Sequence, residues 1–396
     1  MQIPMSSPDL TEAESLAVRE VLRTRYLSIG PKVDAFEQAI RSYVGASFGV
    51  AVNSGTSGLH LAVIAAGVQE GDLVITTPFS FVASANCILY ERAIPIFVDV
   101  DPQTLNIDPS QIAAAIRDLN QGGRAAHRWL PRNLPGANAV SHRVKAILPV
   151  DAFGQPADYD AIHRIAEQYG VIVIEDSCEA IGAEYKGRKA GVLGDVGVFA
   201  FYPNKQMTTG EGGIIVTDNR DWAQLFRSLR NQGRDVFDAW LNHTRLGFNY
   251  RMDEMSAALG LAQLERLDEL LAKRQKIADW YNARLAHVPG VDIPYITGNT
   301  TRMSWFVYVV RIVPPADRTR IMAALNERGI PSRPYFTPIH LQPFYVQQFG
   351  YERGDFPETE KAGDICLALP FSSVMTEQQV EYVCETLKAL LAAKLS

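Results

Sequence analysis

Residues 171–180 read Val171-Ile172-Val173-Ile174-Glu175-Asp176-Ser177-Cys178-Glu179-Ala180. Four aliphatics in succession suit a strand buried on both faces, as inner strands of a parallel sheet are. Asp176 follows at the strand's carboxyl end, the edge at which open α/β sheets place their ligands. An aspartate there also suits the cap of a following helix. Outward from this strand, similar apolar runs at 50–53, 73–76, 94–98, 144–150, 196–201 and 213–217 alternate with helical patterns. The alternation predicts an α/β fold whose large domain is a mainly parallel seven-stranded sheet covered by helices. Thr11-Glu12-Ala13-Glu14 is a capping-box signature for the first helix. Residues 251–285 form a long helical stretch, amphipathic at Met255, Leu259, Leu264 and Leu267, that leads into a smaller α+β C-terminal domain. That domain shows a strand at 306–313, a helix at 317–328, an irregular segment at 331–345 and a closing helix at 376–395. The expected division is 1–250 for an N-terminal segment and the large domain, and 251–396 for the linking helix and the small domain.

A second segment gives the aspartate a partner. Phe201-Tyr202-Pro203-Asn204-Lys205 ends an apolar run and breaks into Thr208-Thr209-Gly210-Glu211-Gly212-Gly213. An amine enclosed by aromatic and apolar neighbours loses hydration of its charged form, which favours the neutral nucleophile that condenses with an aldehyde. A carboxylate that keeps a pyridinium nitrogen protonated is the usual companion of such a lysine in pyridoxal phosphate enzymes. Asn53-Ser54-Gly55-Thr56-Ser57-Gly58 supplies a phosphate cradle, because a small-residue turn before a helix presents unsatisfied amides, hydroxyls and the positive end of the helix dipole. In Thr77-Pro78-Phe79-Ser80-Phe81 two aromatics stand at another helix start, and Phe81 is the better placed to lie flat on a pyridine ring.

In this order the motifs resemble the DegT/DnrJ/EryC1/StrS sugar aminotransferases, within the aspartate-aminotransferase-like enzymes of fold type I. The resemblance is nearly full length. It runs from Leu27-Ser28-Ile29-Gly30-Pro31 through the segments above to Gly247-Phe248-Asn249-Tyr250-Arg251-Met252 and Pro338-Ile339-His340-Leu341-Gln342-Pro343. It implies pyridoxal 5'-phosphate as cofactor, with Lys205 as the Schiff-base lysine and Asp176 as the pyridinium partner. It further implies Gly55, Thr56 and Ser57 at the phosphate, Phe81 on the ring and Glu179 beside the phenolate. Asn249 is expected to reach the neighbouring subunit's cofactor, giving a homodimer with shared active sites. Tyr26, Ser28, Arg333, Tyr335 and His340 are the substrate residues it implies, with His340 read equally well as a packed loop histidine. The implied reaction converts a nucleotide-linked keto sugar, a 3- or 4-keto-6-deoxyhexose, to an amino sugar for polysaccharide or glycoside biosynthesis, with glutamate as amino donor.

Three features depart from the family pattern: Ala200 replaces a phosphate-binding serine, Glu179 replaces His or Gln, and residues 120–143 look like an insertion. Two alternatives remain at this level, a dehydratase of the same fold and a non-catalytic regulatory homologue. By resemblance the dehydratase carries histidine at the lysine position, so Lys205 counts against it. A net charge of -6 argues against a general nucleic-acid partner. A local basic patch at Arg124, Arg128, Arg132 and Arg143 reads as a solvated loop or a guide for a sugar diphosphate. Cys87, Cys178, Cys366 and Cys384 show no metal-ligand spacing, so no metal is expected. The first residues lack a signal-peptide pattern and no apolar run reaches a membrane span, which points to a cytoplasmic protein without a membrane partner.

Overall fold

The computed structural model describes residues 3–134, 143–235 and 242–393. Its main sheet has seven strands: β1 (Phe48–Val52), β2 (Leu73–Thr76), β3 (Ile94–Phe97), β4 (Val144–Ile147), β5 (Ile172–Asp176), β6 (Val196–Ala200) and β7 (Gly213–Thr217). They lie in the order β1-β7-β6-β5-β4-β2-β3. Only β7 runs against its neighbours, pairing antiparallel with β1 and β6. The remaining contacts are parallel, and β5 is the middle strand.

The aliphatic run of β5 is explained by its two buried faces. Val173 packs into one apolar cluster with Leu73, Ile75, Ile96 and Ile162, whereas the next residue, Ile174, packs into the opposite cluster with Val52, Leu59, Val74 and Val198. Successive side chains of a strand point to opposite faces, so covering helices on both sides leave no position for a polar residue until the strand ends. Truncating Ile174 to alanine removes methylenes from a fully buried site and costs on the order of 2–5 kcal/mol.

A second, antiparallel sheet contains β8 (Val291–Asp292), β9 (Tyr308–Ile312), β10 (Arg333–Pro334) and β11 (Cys366–Leu369), in the order β8-β9-β11-β10. Helices Arg318–Glu327 and Glu377–Ala392 accompany it. Two expectations need correction. β4 stops at Ile147, before Pro149, which lacks the N–H that a ladder needs. The stretch 251–285 is two helices, Glu254–Glu265 and Leu267–Leu285, which meet at Arg266. Its guanidinium bonds Asp9 at 2.9 Å and Glu14 at 2.8 Å, which ties the N-terminal segment to the break. The Thr11 capping box forms as expected.

Of the 120–143 segment, Gly123–His127 is helical, Arg128 stacks over Trp129, and Arg132 forms two bonds of 2.6 Å to Asp355. Residues 135–142 lie outside the described residues. Among the described residues, no helix is long and apolar enough to cross a membrane.

Candidate active site

A cavity of about 650 Å³ opens at the carboxyl end of β5. Asp176 and Glu179 enter it from β5 and the turn that follows, Lys205 from the turn after β6, and Gly55 and Thr56 from the start of the helix Gly55–Ala65. Phe306 and Tyr335 close it from the side of the second sheet.

Asp176 is buried and held from two directions. Ser84 donates to its Oδ2 at 2.6 Å and the Cys178 amide to its Oδ1 at 3.2 Å. Ser80 and Ser84 hydroxyls are 2.8 Å apart, so the serine bound to Asp176 is itself oriented. Lys205 lies in the turn, its amide bonded to the Tyr202 carbonyl, rather than at the strand end. Its Nζ is 3.5 Å from Oε1 of Glu179 and 3.8 Å from the centroid of the Phe306 ring. The ring face attracts the cation while excluding water.

Glu179 is buried beside Lys205 and accepts the Phe153 amide at 3.0 Å. Burial raises its pKa, against the opposing effect of the Lys205 charge. It points into the cavity rather than toward a surface arginine. Burial, reinforced by the charge of Glu179, raises Tyr335 to about 12, so its hydroxyl stays a hydrogen-bond donor at neutral pH.

The helix start is a close approach of backbones. A Cβ on Gly55 would meet Ala200 Cβ at 2.7 Å and Cys178 Sγ at 2.8 Å, so only glycine lets the first amides face the cavity here. Those amides have no acceptor one turn back. Thr56 lines the cavity, but the Ser57 hydroxyl turns inward, donating to Asn53 at 2.7 Å beside Ser54 at 3.0 Å. Phe81 precedes the helix Ala83–Leu89 by two residues and is 64% exposed, its apolar ring uncovered at the cavity wall. Phe79 is instead core.

The expected substrate residues divide. Tyr335 lines the cavity; Tyr26, Ser28 and Arg333 are not among its lining residues. Tyr26 lies under Arg25, Ser28 bridges to Asp253, and Arg333 donates to the carbonyl of Ser332. His340 is 0% exposed, bonded through Nε2 to Glu360 at 3.0 Å and packed edge-on against Phe356, with its Nδ1 buried and unpartnered, and it is not among the residues that line the cavity. Asn249 is exposed and outside this cavity.

Sequence reasoning missed Ser84 and Phe306. The spacing of Ser80 and Ser84, one helical turn apart beside the proposed ring-stacking residue, is a signal for the first. Nothing local marks the second.

Pyridoxal phosphate fits this donor set. An amine and a carboxylate share one cavity with a helix start free to take a phosphate. Asn204 on the same wall has a buried Oδ1 without a partner. Among the described residues there is no group of three or more His, Cys, Asp or Glu that suits a metal. The four cysteines are free thiols.

Fold and site together define a pyridoxal phosphate-dependent aminotransferase of fold type I. The chain belongs to the DegT/DnrJ/EryC1/StrS aminotransferase family, whose model matches residues 8–388. It is 37% identical to the GDP-perosamine synthase of Caulobacter vibrioides over 394 residues, 98% of each chain. DesV of S. venezuelae superimposes with a TM-score of 0.85 at 29% identity, over 98% of both chains. Spr1654 of Streptococcus pneumoniae in its PLP form gives 0.87 at 25% identity, over the whole of both chains.

Proposed function

We propose that this aminotransferase converts a nucleotide-linked 3- or 4-keto-6-deoxyhexose to an amino sugar in the cytoplasm, taking the amino group from glutamate, for polysaccharide or glycoside biosynthesis. The observation that carries the reading is the convergence of Lys205, Asp176 and the Gly55 helix start on one cavity. The similarity to a GDP-perosamine synthase supports a nucleotide-linked sugar as acceptor.

Bound pyridoxal phosphate supplies an electron-withdrawing ring that stabilises negative charge on the substrate carbon. Asp176, steadied by Ser84 and the Cys178 amide, holds a proton on the ring nitrogen. Lys205 Nζ takes and returns the proton that moves during the amino-group shift. Amides of Gly55 and Thr56, with the Thr56 hydroxyl, bind the phosphate, and Ser57 serves by fixing the turn through Asn53 and Ser54. Phe81 would cover one ring face, and Glu179 would stand by the phenolate. Phe306 keeps water from Lys205, and Tyr335 offers its hydroxyl to substrate.

Asn249 serves the site of a second copy in a homodimer. Its exposure outside its own cavity, three residues after an 87% exposed Leu246, supports this. A single-chain mass in solution at working concentration would overturn it.

The test is spectroscopic. Glutamate alone should bleach the cofactor's visible band, and one of a panel of nucleotide-linked 3-keto and 4-keto sugars should restore it while giving an aminated product by mass. A band unmoved by glutamate and other amino acids would sink the catalytic reading. Bleaching without restoration by any sugar would sink the acceptor.

A further inference from the structure

Behind Asp176, on the side away from the cavity, Asp151, Glu175 and Ser177 form a network with no solvent exposure. Ser177 Oγ lies 2.7 Å from Oδ2 of Asp151 and 2.6 Å from Oε1 of Glu175. A serine hydroxyl has one hydrogen, so it donates to only one of two carboxylates. The other contact requires a proton on an acid.

The remaining donors decide which acid. On Glu175, Oε1 also accepts the Gly191 amide, and Oε2 accepts those of Leu193 at 2.8 Å and Gly194 at 3.1 Å. On Asp151, Oδ1 accepts the Ala157 amide at 3.0 Å and the Tyr159 hydroxyl at 3.0 Å. Of the four carboxylate oxygens, Oδ2 of Asp151 alone has no donor besides the shared serine.

We propose that Asp151 is un-ionised in the folded enzyme and acts as a positioning residue for Asp176, its Oδ2–H donating to Ser177 Oγ, which donates in turn to Glu175. The positioning half rests on the role proposed for Asp176; the proton on Asp151 does not.

The route to Asp176 is short. The Asp151 amide donates to the Asp176 carbonyl at 3.0 Å, and the Asp176 amide donates to the Pro149 carbonyl at 3.0 Å. Ser177 fixes the peptide that follows. The ionisable groups facing Asp151 are Glu175 and Asp176 on β5 and Tyr159 on the helix Tyr159–Tyr169. None is a cation; the Ala157 amide and the Tyr159 and Ser177 hydroxyls are what favour an ionised Asp151, and burial with the charge of Glu175 opposes them. Burial, then the charge of Glu175, pushes its carboxyl well above the ordinary range. With Asp151 neutral, a single negative charge remains in the network, and three amides meet it.

The test uses the full chain and needs no turnover. An infrared difference spectrum at neutral pH, wild type minus Asp151→Asn, should show the carbonyl stretch of an un-ionised carboxylic acid. Asn presents an N–H at the same place, so this variant should bind pyridoxal phosphate as tightly as wild type. Asp151→Leu should weaken that binding about tenfold or more, because Ser177 is left without its donor. The sign with pH is fixed too. The folded state keeps a proton that the unfolded chain releases above about pH 4, so wild type should lose urea stability relative to Asp151→Asn as pH rises. Absence of the band, with Asp151→Asn as damaging as Leu, overturns the proposal. The band with wild-type cofactor affinity in Asp151→Leu overturns the positioning half. Should Asp151→Leu not fold, the band and the Asn variant still decide.

Discussion

The wall of the cavity built on β5 and β6 and the wall built on residues 333–342 differ in where their polar groups point. On the sheet side Asp176, Glu179 and Lys205 all face the cavity, and each is braced by a neighbour: Ser84, the Phe153 amide and the Phe306 ring. On the other side His340 bonds Glu360 and Arg333 bonds the Ser332 carbonyl, away from the cavity, while Tyr335, Thr337 and Gln342 line it beside Pro334, Phe336 and Ile339. Proton-moving groups need fixed geometry, which a sheet buried on both faces supplies, whereas a wall that presents rings and aliphatics with uncharged polar groups between them supplies shape and hydrogen-bonding positions.

The largest effect that tests this contrast is expected at Lys205. Lys205→Ala removes the amine that moves the proton, so turnover should fall by on the order of 10²–10⁴-fold or more. Cofactor should still bind through Asp176 and the helix start. Borohydride reduction of wild type should fix pyridoxal phosphate to the peptide carrying Lys205. Recovery of the label on another lysine would move the chemistry off the sheet wall and break the contrast.

Glu179 should show a smaller effect, and one that depends on pH. Its raised pKa means that the folded state retains a proton at pH values where the unfolded chain, near an ordinary glutamate pKa of about 4.3, has lost it. Its contribution to stability is therefore largest in acid and declines as pH rises toward the folded pKa. Glu179→Gln removes that decline and keeps a donor for the cofactor's phenolate, so activity should persist with a flatter alkaline limb. Glu179→Ala loses the donor, and weaker cofactor binding with a displaced visible spectrum should result. Identical spectra and pH profiles for wild type, Gln and Ala would remove Glu179 from the site.

How much of this was legible in the sequence follows from what holds each residue. Asp176 ends an aliphatic run, Lys205 precedes a glycine-rich turn and Gly55 opens a helix, so backbone punctuation marks all three. All seven strands were legible for the same reason, to within a few residues at the ends. Ser57 shows where local reading stops. Adjacent residues of a helix point about 100° apart, and here Thr56 lines the cavity while the Ser57 hydroxyl donates to Asn53. Phe306 arrives from the second sheet, about 100 residues downstream of Lys205, through tertiary packing that no local pattern records. For His340 the sequence left a substrate role and loop packing both open, since Glu360 and Phe356 meet it only once the chain is folded.

His340 therefore gives the smallest kinetic effect and the sharpest check on the second wall. Burial lowers its pKa despite the opposing pull of Glu360, so the folded protein holds the ring neutral while the unfolded chain takes up a proton below about pH 6.5. The unfolded state then binds more protons than the folded one, and stability falls as pH drops through that value. His340→Ala leaves Glu360 without this partner and opens space against Phe356. It should cost about 1–3 kcal/mol, measured by urea unfolding at neutral pH, and the acid loss should shrink. KM for the sugar and kcat should stay at wild-type values. A raised KM with unchanged unfolding would reverse the assignment: the histidine would then meet substrate and join Tyr335, Thr337 and Gln342 as a polar group of the 333–342 wall.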